Sequence, residues 1–387
     1  MKIVIAPDSF KESLPALAVC QCIQHGFSAV FPNADYHLMP LADGGEGTVD
    51  VLLKALSGEK IVSRVEGPLG DIIAAEWALL ENGRTALIEI AQASGLDKVP
   101  MQQRNPLIAS TYGTGQIIQQ ALDLGVQKIL IGLGGSATND AGAGIIQALG
   151  GVLRKANGEV IGRGGRALTD VAEIDLTALD GRCAHVDMVI ACDVANPLTG
   201  PTGASHIFGP QKGATPEDVA QLDEALTHFA DVAAKKCGTH CGNMLGFGAA
   251  GGTPLGLSLL FPMAMKPGIE MVLDALDAER VLKNADLVIT GEGQMDNQTL
   301  QGKTPFGIAQ RAKNLGIPVI GIAGSLGAET DALNLHFTGV FDSVRAPQSL
   351  EQVLSEASEN LQRTARNVAA MLKLGAHLTG GHRDDTV

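Results

Sequence analysis

Four apolar runs that read as strands each lead into an acid set among small residues. Residues 2–7 run into Asp8, 36–42 into Asp43, 188–192 into Asp193, and 287–290 into the turn Gly291-Glu292-Gly293. Open parallel sheets gather ligands beyond the carboxyl ends of their strands, so acids placed there converge on one cleft instead of scattering over the surface. Such a cleft suits a metal-phosphate site. Strand-like and helical patterns alternate from the start, and 48 glycines with 3% aromatic residues fit tight turns around a parallel sheet. The chain reads as an α/β protein.

The pattern also divides the chain. A first strand over 2–6 and a turn over 7–12 precede a helix predicted from about Pro15 to Ala29, with Ser13 as its N-cap. A strand over 36–41 follows, and Val49, Leu52, Leu53 and Leu56 mark the next helix. After Ser57-Gly58 the texture changes to close-set hairpins, with strands at 61–66, 72–79 and 85–90. Buried parallel-type strands return at 287–290 and 317–323. The economical reading is one doubly wound domain made from residues 1–58 and 280–387, interrupted by an inserted α/β domain of residues 59–279, with the active site in the cleft between them. The glycine-rich stretch 246–256 is too apolar for a tether and reads as a close backbone approach. Leu350, Val353, Leu354, Ala357, Leu361, Ala365, Val368 and Leu372 predict one amphipathic helix with a structural role, and the tail 382–387 reads as disordered.

A formal net charge of −14 without a dense Lys/Arg run excludes a nucleic-acid binder, while a few local lysines and helix N-termini still suit a small anion. No apolar run approaches the roughly 18 residues that a membrane span needs, and the N-terminus lacks the features of a signal peptide. The expected location is therefore the cytoplasm, with no membrane partner. Six cysteines in 387 residues do not suggest a disulfide scaffold. Cys237-Gly-Thr-His240-Cys241 lacks the second ligand pair of a zinc site and reads as a helix end. Sequence leaves the oligomeric state open, a homodimer included.

Two motifs resemble nucleotide loops. Gly302-Lys303-Thr304 ends like a P-loop, but Asn297 stands where the first glycine should be. Gly132-Leu-Gly134-Gly-Ser-Ala137 satisfies the loose dinucleotide pattern, which supports an alternative reading as an NAD(P)-dependent oxidoreductase of a small hydroxy acid. The fuller inventory is that of phosphoryl transfer, which needs amide donors, cations for the phosphates, carboxylates for magnesium and a base. Gly113-Thr114-Gly115 and Gly134-Gly135-Ser136 can form amide nests, with Ser136 and Thr138 adding hydroxyls and Lys11, Lys212 and Lys303 adding charge. Asp8, Asp43, Asp193, Glu292 and Asp296 supply the acids. Asp43 and Asp8 could equally cap helices or turns, whereas Asp193 ends an apolar strand without starting an obvious helix.

Pro7-Asp8-Ser9-Phe10-Lys11, Asp43-Gly44-Gly45-Glu46-Gly-Thr48, Gly134-Gly-Ser136-Ala-Thr138-Asn139-Asp140, Cys192-Asp193-Val-Ala-Asn196, Gly209-Pro-Gln211-Lys212 and Thr290-Gly-Glu292-Gly occur in that order along nearly the whole chain. Together they resemble the bacterial glycerate kinase type-1 family. The resemblance implies a flavodoxin-like domain carrying a restriction-enzyme-like α/β insertion. It further implies transfer of the γ-phosphate of ATP to D-glycerate with Mg²⁺, commonly giving 2-phosphoglycerate, in the breakdown of glucarate, galactarate or glyoxylate; the sequence leaves 3-phosphoglycerate open as the product. On that basis Asp193 is the expected base, with Lys212 beside it in catalysis, and Glu292 and Asp296 hold the metal directly or through water, although the sequence leaves open an exchange of roles among these acids. Asp8, Ser9, Lys11, Asp43, Gly44, Gly45, Glu46 and Thr48 would bind glycerate. Gly113, Thr114, Gly115, Gly134, Gly135, Ser136, Thr138, Asn139 and Lys303 would bind the nucleotide. Where relatives usually read Gly-Glu-Gly-Arg-Ile-Asp, this chain has Gln294 and Met295.

Overall fold

A computed structural model describes residues 1–43, 48–238 and 242–380. The readings placed on Gly44, Gly45 and Glu46, on His240 and Cys241, and on the tail 382–387 fall outside these residues. The chain separates into two compact units, one from Met1–Val51 with Val272–Val387 and one from Leu52–Met271.

In the first unit the described residues form a five-stranded parallel sheet in the order Gly339–Asp342, Val319–Ala323, Leu287–Thr290, Lys2–Ile5, Asp35–Leu38. Ile3, Val4, Ile5, Val288 and Ile289 are fully buried, as expected for β-branched residues in a sheet covered on both faces. The chain starts in the middle of this sheet, adds one strand on one side and the later three on the other. Its order therefore reverses between Lys2–Ile5 and Leu287–Thr290, which is the switch point where doubly wound sheets open a crevice. Pairing continues past the strand ends there. Ala6 N donates to Ile289 O at 2.7 Å, Asp8 N to Gly291 O at 2.9 Å, and Thr290 Oγ1 to Ala6 O at 2.7 Å.

The helix Ala16–Ser28 presents Val19, Cys20, Ile23 and Phe27 to this sheet. Its N-cap is Pro15, not Ser13 as predicted. Proline disfavours helical geometry in the residue before it, so the helix cannot start at Leu14, and the Ser13 hydroxyl instead donates to Phe10 O at 3.1 Å. The single helix predicted from Leu350 is two, Leu350–Ser355 and Ala357–Gly380. The break falls at Glu356, just after Ser355 turns its hydroxyl back onto Gln352 O, a local bond that competes with helical continuation. Leu361, Ala365 and Val368 of the second helix pack into the same core as Ile23 and Phe27.

In the second unit, among the described residues, a six-stranded sheet runs Met263–Lys266, Asp187–Ala191, Lys128–Gly132, Thr85–Glu89, Ile72–Leu80, Glu59–Glu66. The first four strands are parallel and the last two are antiparallel, which matches the hairpin texture after Gly58. Trp77 is buried in its core, with Nε1 satisfied by Ser63 Oγ at 2.9 Å. The glycine-rich stretch is a close approach, as read. Gly251 has φ +65°, and a Cβ there would stand 2.1 Å from Thr138 O. Among the described residues no helix is long and apolar enough to cross a membrane.

A Cβ on Gly26 would lie 2.5 Å from Gln362 O and 2.7 Å from Ala365 Cβ, so glycine sets the spacing of Ala16–Ser28 against Ala357–Gly380. Gly26→Val is expected to destabilise the first unit by about 1–3 kcal/mol through overpacking, read as a lowered melting temperature. An unchanged melting temperature would show that the helices can separate without cost.

Candidate active site

Asp8 and Glu292 stand just beyond the two strands that flank the switch point. Asp8 Oδ1 accepts from Ser9 N at 2.6 Å and Ser9 Oγ at 3.2 Å, and its Oδ2 accepts from Thr304 Oγ1 at 2.6 Å. Burial raises the proton affinity of this carboxyl, the bonds from Thr304 and Ser9 counter the rise, and the charge of Asp43 adds to it. Glu292 behaves alike. Burial raises its pKa, the Thr299 hydroxyl at 2.6 Å and the Lys303 ammonium at 3.5 Å oppose this, and Asp8 pushes it up again.

These groups line a cavity of about 340 Å³ whose charged residues are Asp8, Lys11, Glu12, Asp43, Glu292 and Lys303. Ser9 also lines it. Lys303 is the N-cap of the helix Thr304–Asn314, so an ammonium and a helix N-terminus meet at one rim. Part of the lining is apolar, and it comes from the stripe read as structural. Leu350, Val353, Leu354 and Ala357 face the cavity, whereas the later members Leu361, Ala365 and Val368 are core.

Asp296 is not among the cavity-lining residues. Its Oδ1 accepts from Gln298 N at 2.8 Å and its Oδ2 from Gln294 Nε2 at 3.3 Å, so the carboxylate closes its own turn. Gln294, at the position where the resemblance leads one to expect arginine, is thus partly occupied by that turn. Among the described residues no group of three or more His, Cys, Asp or Glu side chains is arranged to hold a metal. Thr48 is buried at the start of the helix Thr48–Ala55, away from the cavity lining, and its hydroxyl lacks a hydrogen-bond partner among the described residues.

In the second unit Gly134 and Gly135 form an exposed turn after Lys128–Gly132, and Ser136 is buried behind it. The turn Pro210–Lys212 delivers Lys212, 2% exposed, to that loop. Its Nζ donates to Thr138 O at 2.7 Å and Ser136 Oγ at 3.0 Å. Burial pulls the Lys212 pKa down to about 7, and the charge of Asp140 works in the opposite direction. Asp140, the last residue of the motif at 134–140, organises the loop. Its buried carboxylate accepts from Thr111 N at 2.8 Å, Thr111 Oγ1 at 3.0 Å, Gly142 N at 3.2 Å and Gly144 N at 3.3 Å. Asn139 Nδ2 donates to Ser205 Oγ at 3.0 Å. The sequence signal for these roles is three polar residues in a row, Thr138-Asn139-Asp140, all of them fully buried.

Two predicted roles meet a different geometry. Gly113 and Gly115 are buried inside the helix Tyr112–Asp123, where a Cβ would lie 1.8 Å from Glu66 O and 2.6 Å from Ala148 Cβ respectively. They are packing glycines in place of the expected amide nest, and Thr114 Oγ1 is 2.8 Å from Ser94 Oγ. Asp193, read as unsuited to capping, is exposed and accepts from Gly268 N at 2.8 Å at the start of the helix Gly268–Ala275. The helix that it caps lies far along the chain, so no local pattern announces it. The dinucleotide reading gains nothing, because residues 133–142 intervene between the strand and the short helix Ala143–Ala148, whereas a dinucleotide loop passes directly into its helix.

The model of the glycerate kinase family matches residues 3–373. A glycerate kinase of Bacillus subtilis is 51% identical over 375 residues, covering 97% of this chain and 98% of the relative. A glycerate 2-kinase of Escherichia coli is 46% identical over 381 residues, covering 98% and 100%. A crystal structure from Salmonella typhimurium LT2, named for glycerate kinase 2, superposes with a TM-score of 0.89 at 50% identity, covering 97% of this chain and 99% of that one. The chain is an enzyme of the kinase class on a mixed α/β fold with parallel sheets. It belongs to the glycerate kinase family.

The burial of Lys212 has a signed consequence for stability. Its folded pKa lies below its unfolded value, so between about pH 7 and roughly pH 10 the unfolded chain binds the extra proton and stability rises with pH. Lys212→Met should lose this rise, giving a flatter dependence of the denaturation midpoint from pH 7 to 9. An identical slope in both proteins would contradict a depressed Lys212.

Proposed function

We infer that the chain transfers the γ-phosphate of ATP to D-glycerate with Mg²⁺, yielding 2-phosphoglycerate in the breakdown of glucarate, galactarate or glyoxylate. The observation that carries this reading is the pair Asp8 and Glu292 at the switch point, both with proton affinity raised by burial, Asp8 further by the charge of Asp43 and Glu292 by that of Asp8, beside Lys303 at a helix N-terminus. Two partly buried carboxylates that repel each other fit a divalent cation, and magnesium typically takes one or two carboxylates together with substrate phosphates. Asp8 and Glu292 would hold it, with Asp8 in the place first given to Asp296. When bound, the ion neutralises charge on the phosphates. The names of the Bacillus subtilis and Escherichia coli relatives support glycerate as acceptor and, for the latter, the 2-position.

The chain's own residues divide the remaining work. Ser9, Lys11 and Asp43 bind and orient glycerate, and Lys303 binds phosphate at the helix N-terminus. Lys212, Ser136 and the turn Gly134-Gly135 offer cation, hydroxyl and amides to phosphate oxygens, with Thr138 and Asn139 supporting that loop. Asp193 takes the proton from the attacking hydroxyl as its oxygen bonds to the γ-phosphorus and the bond to the β-phosphate oxygen breaks, releasing ADP. The strand order of the first unit supports a flavodoxin-like domain, and the second unit is taken as the inserted, restriction-enzyme-like one on the resemblance. The setting is the cytoplasm.

Incubation with Mg-ATP and D-glycerate should give 2-phosphoglycerate by phosphorus NMR, and absence of any phosphoglycerate would overturn the reading. Asn caps a helix as well as Asp does, so Asp193→Asn should leave stability unchanged while lowering kcat by about 10²-fold or more. A near-normal kcat would leave Asp193 with capping alone.

A further inference from the structure

The cavity of the first unit has more apolar wall than glycerate can use. A three-carbon hydroxy acid carries oxygen on every carbon and has no apolar face to set against Leu350, Val353, Leu354 and Ala357. Leu350 is nonetheless 69% exposed, an aliphatic side chain left facing open space at the lip of the site. At the end of the stripe stands Asn360, 2% exposed and cavity-lining, whose Nδ2 lacks a hydrogen-bond partner among the described residues. Such a buried orphan donor is costly unless something that enters the cavity accepts from it.

The orientation of that amide is settled by its neighbour. Arg363 Nη1 donates to Asn360 Oδ1 at 2.7 Å, and Nη2 donates to Ser343 O at 2.8 Å. Guanidinium has donors only, so the amide oxygen must face Arg363 and the NH₂ group is turned away from it. The cavity lining thus combines aliphatic side chains, an asparagine whose amide nitrogen has no partner among the described residues, and Lys303 with the acids. A flat heteroaromatic ring with acceptor nitrogens, joined to an anionic chain, matches both halves.

We propose that Leu350, Val353, Leu354 and Ala357, with Asn360 at their end, form the seat of the purine base of the nucleoside triphosphate. The base lies against these four aliphatic side chains, a ring nitrogen accepts from Asn360 Nδ2, and the phosphates run to Lys303. Arg363 is a positioning residue, acting through Asn360. The assignment rests on reading this cavity as a phosphotransfer site.

The test compares ADP with pyrophosphate, which differ by the adenosine. In calorimetric titrations the wild-type protein should bind ADP more tightly, and Asn360→Ala should narrow the difference by about 5- to 10-fold without weakening pyrophosphate. Leu354→Glu, which sets a carboxylate against the ring, should narrow it further. In steady-state assays both variants should raise the KM for ATP while the KM for D-glycerate stays within about twofold, which also shows that they are folded. An unchanged difference between ADP and pyrophosphate in both variants would overturn the assignment. So would a rise confined to the KM for D-glycerate, which would make the wall an acceptor seat. Failure of the wild-type protein to phosphorylate D-glycerate would sink the proposed acceptor, while the ADP and pyrophosphate titrations would still decide the base.

Discussion

The pairing of Lys2–Ile5 with Leu287–Thr290 is the contact on which the rest of the first unit depends. It joins segments separated by most of the chain, so its loop-closure entropy is incurred before any local contact repays it. Three features offset that cost: fully buried β-branched residues on both strands, hydrogen bonds that run on to Asp8 and Gly291, and the Thr290 hydroxyl on Ala6 O. Loss of this register would misplace both carboxylates and the mouth of the cavity together.

What could be read from the sequence follows from how local each signal was. Ile3-Val4-Ile5 and Leu287-Val288-Ile289 announce buried parallel strands by composition alone, and small residues with an acid after them announce a turn at a strand end. The glycine stretch 246–256 was legible because an apolar, glycine-rich run has few uses besides close backbone contact. Periodicity, by contrast, tells which residues share a helix face but not what lies opposite. The stripe from Leu350 to Leu372 is one pattern in sequence, yet its first part borders a cavity and its later part a core. Asp193 and Gly113 were hidden for a related reason. Each meets a partner remote in the chain, Gly268 N in one case and the Glu66 carbonyl in the other, and no spacing rule connects such pairs.

Lys212 illustrates how a buried charge is tolerated. Its ammonium donates two hydrogen bonds to the loop at which it points, with Asp140 as a nearby buried anion, itself held by four donor bonds. A hydrophobic residue of similar volume would often stabilise such a site as well or better, so the lysine is better understood as fixing the loop's conformation than as strengthening the fold. Deleting either partner alone would leave the other charge uncompensated.

The extended ladder at the switch point has a mechanical side. Asp8 N still bonds to Gly291 O across the two strands, and Glu292 O accepts from Gly324 N beyond the next strand, so neither acid sits at the tip of a loose loop. Two like charges on flexible loops would drift apart until water screened them. Here the scaffold limits that relaxation, so the charge of Asp8 continues to act on Glu292, offset in part by Lys303, and a proton or a further cation relieves it. Affinity for positive charge is thereby written into the strand register itself.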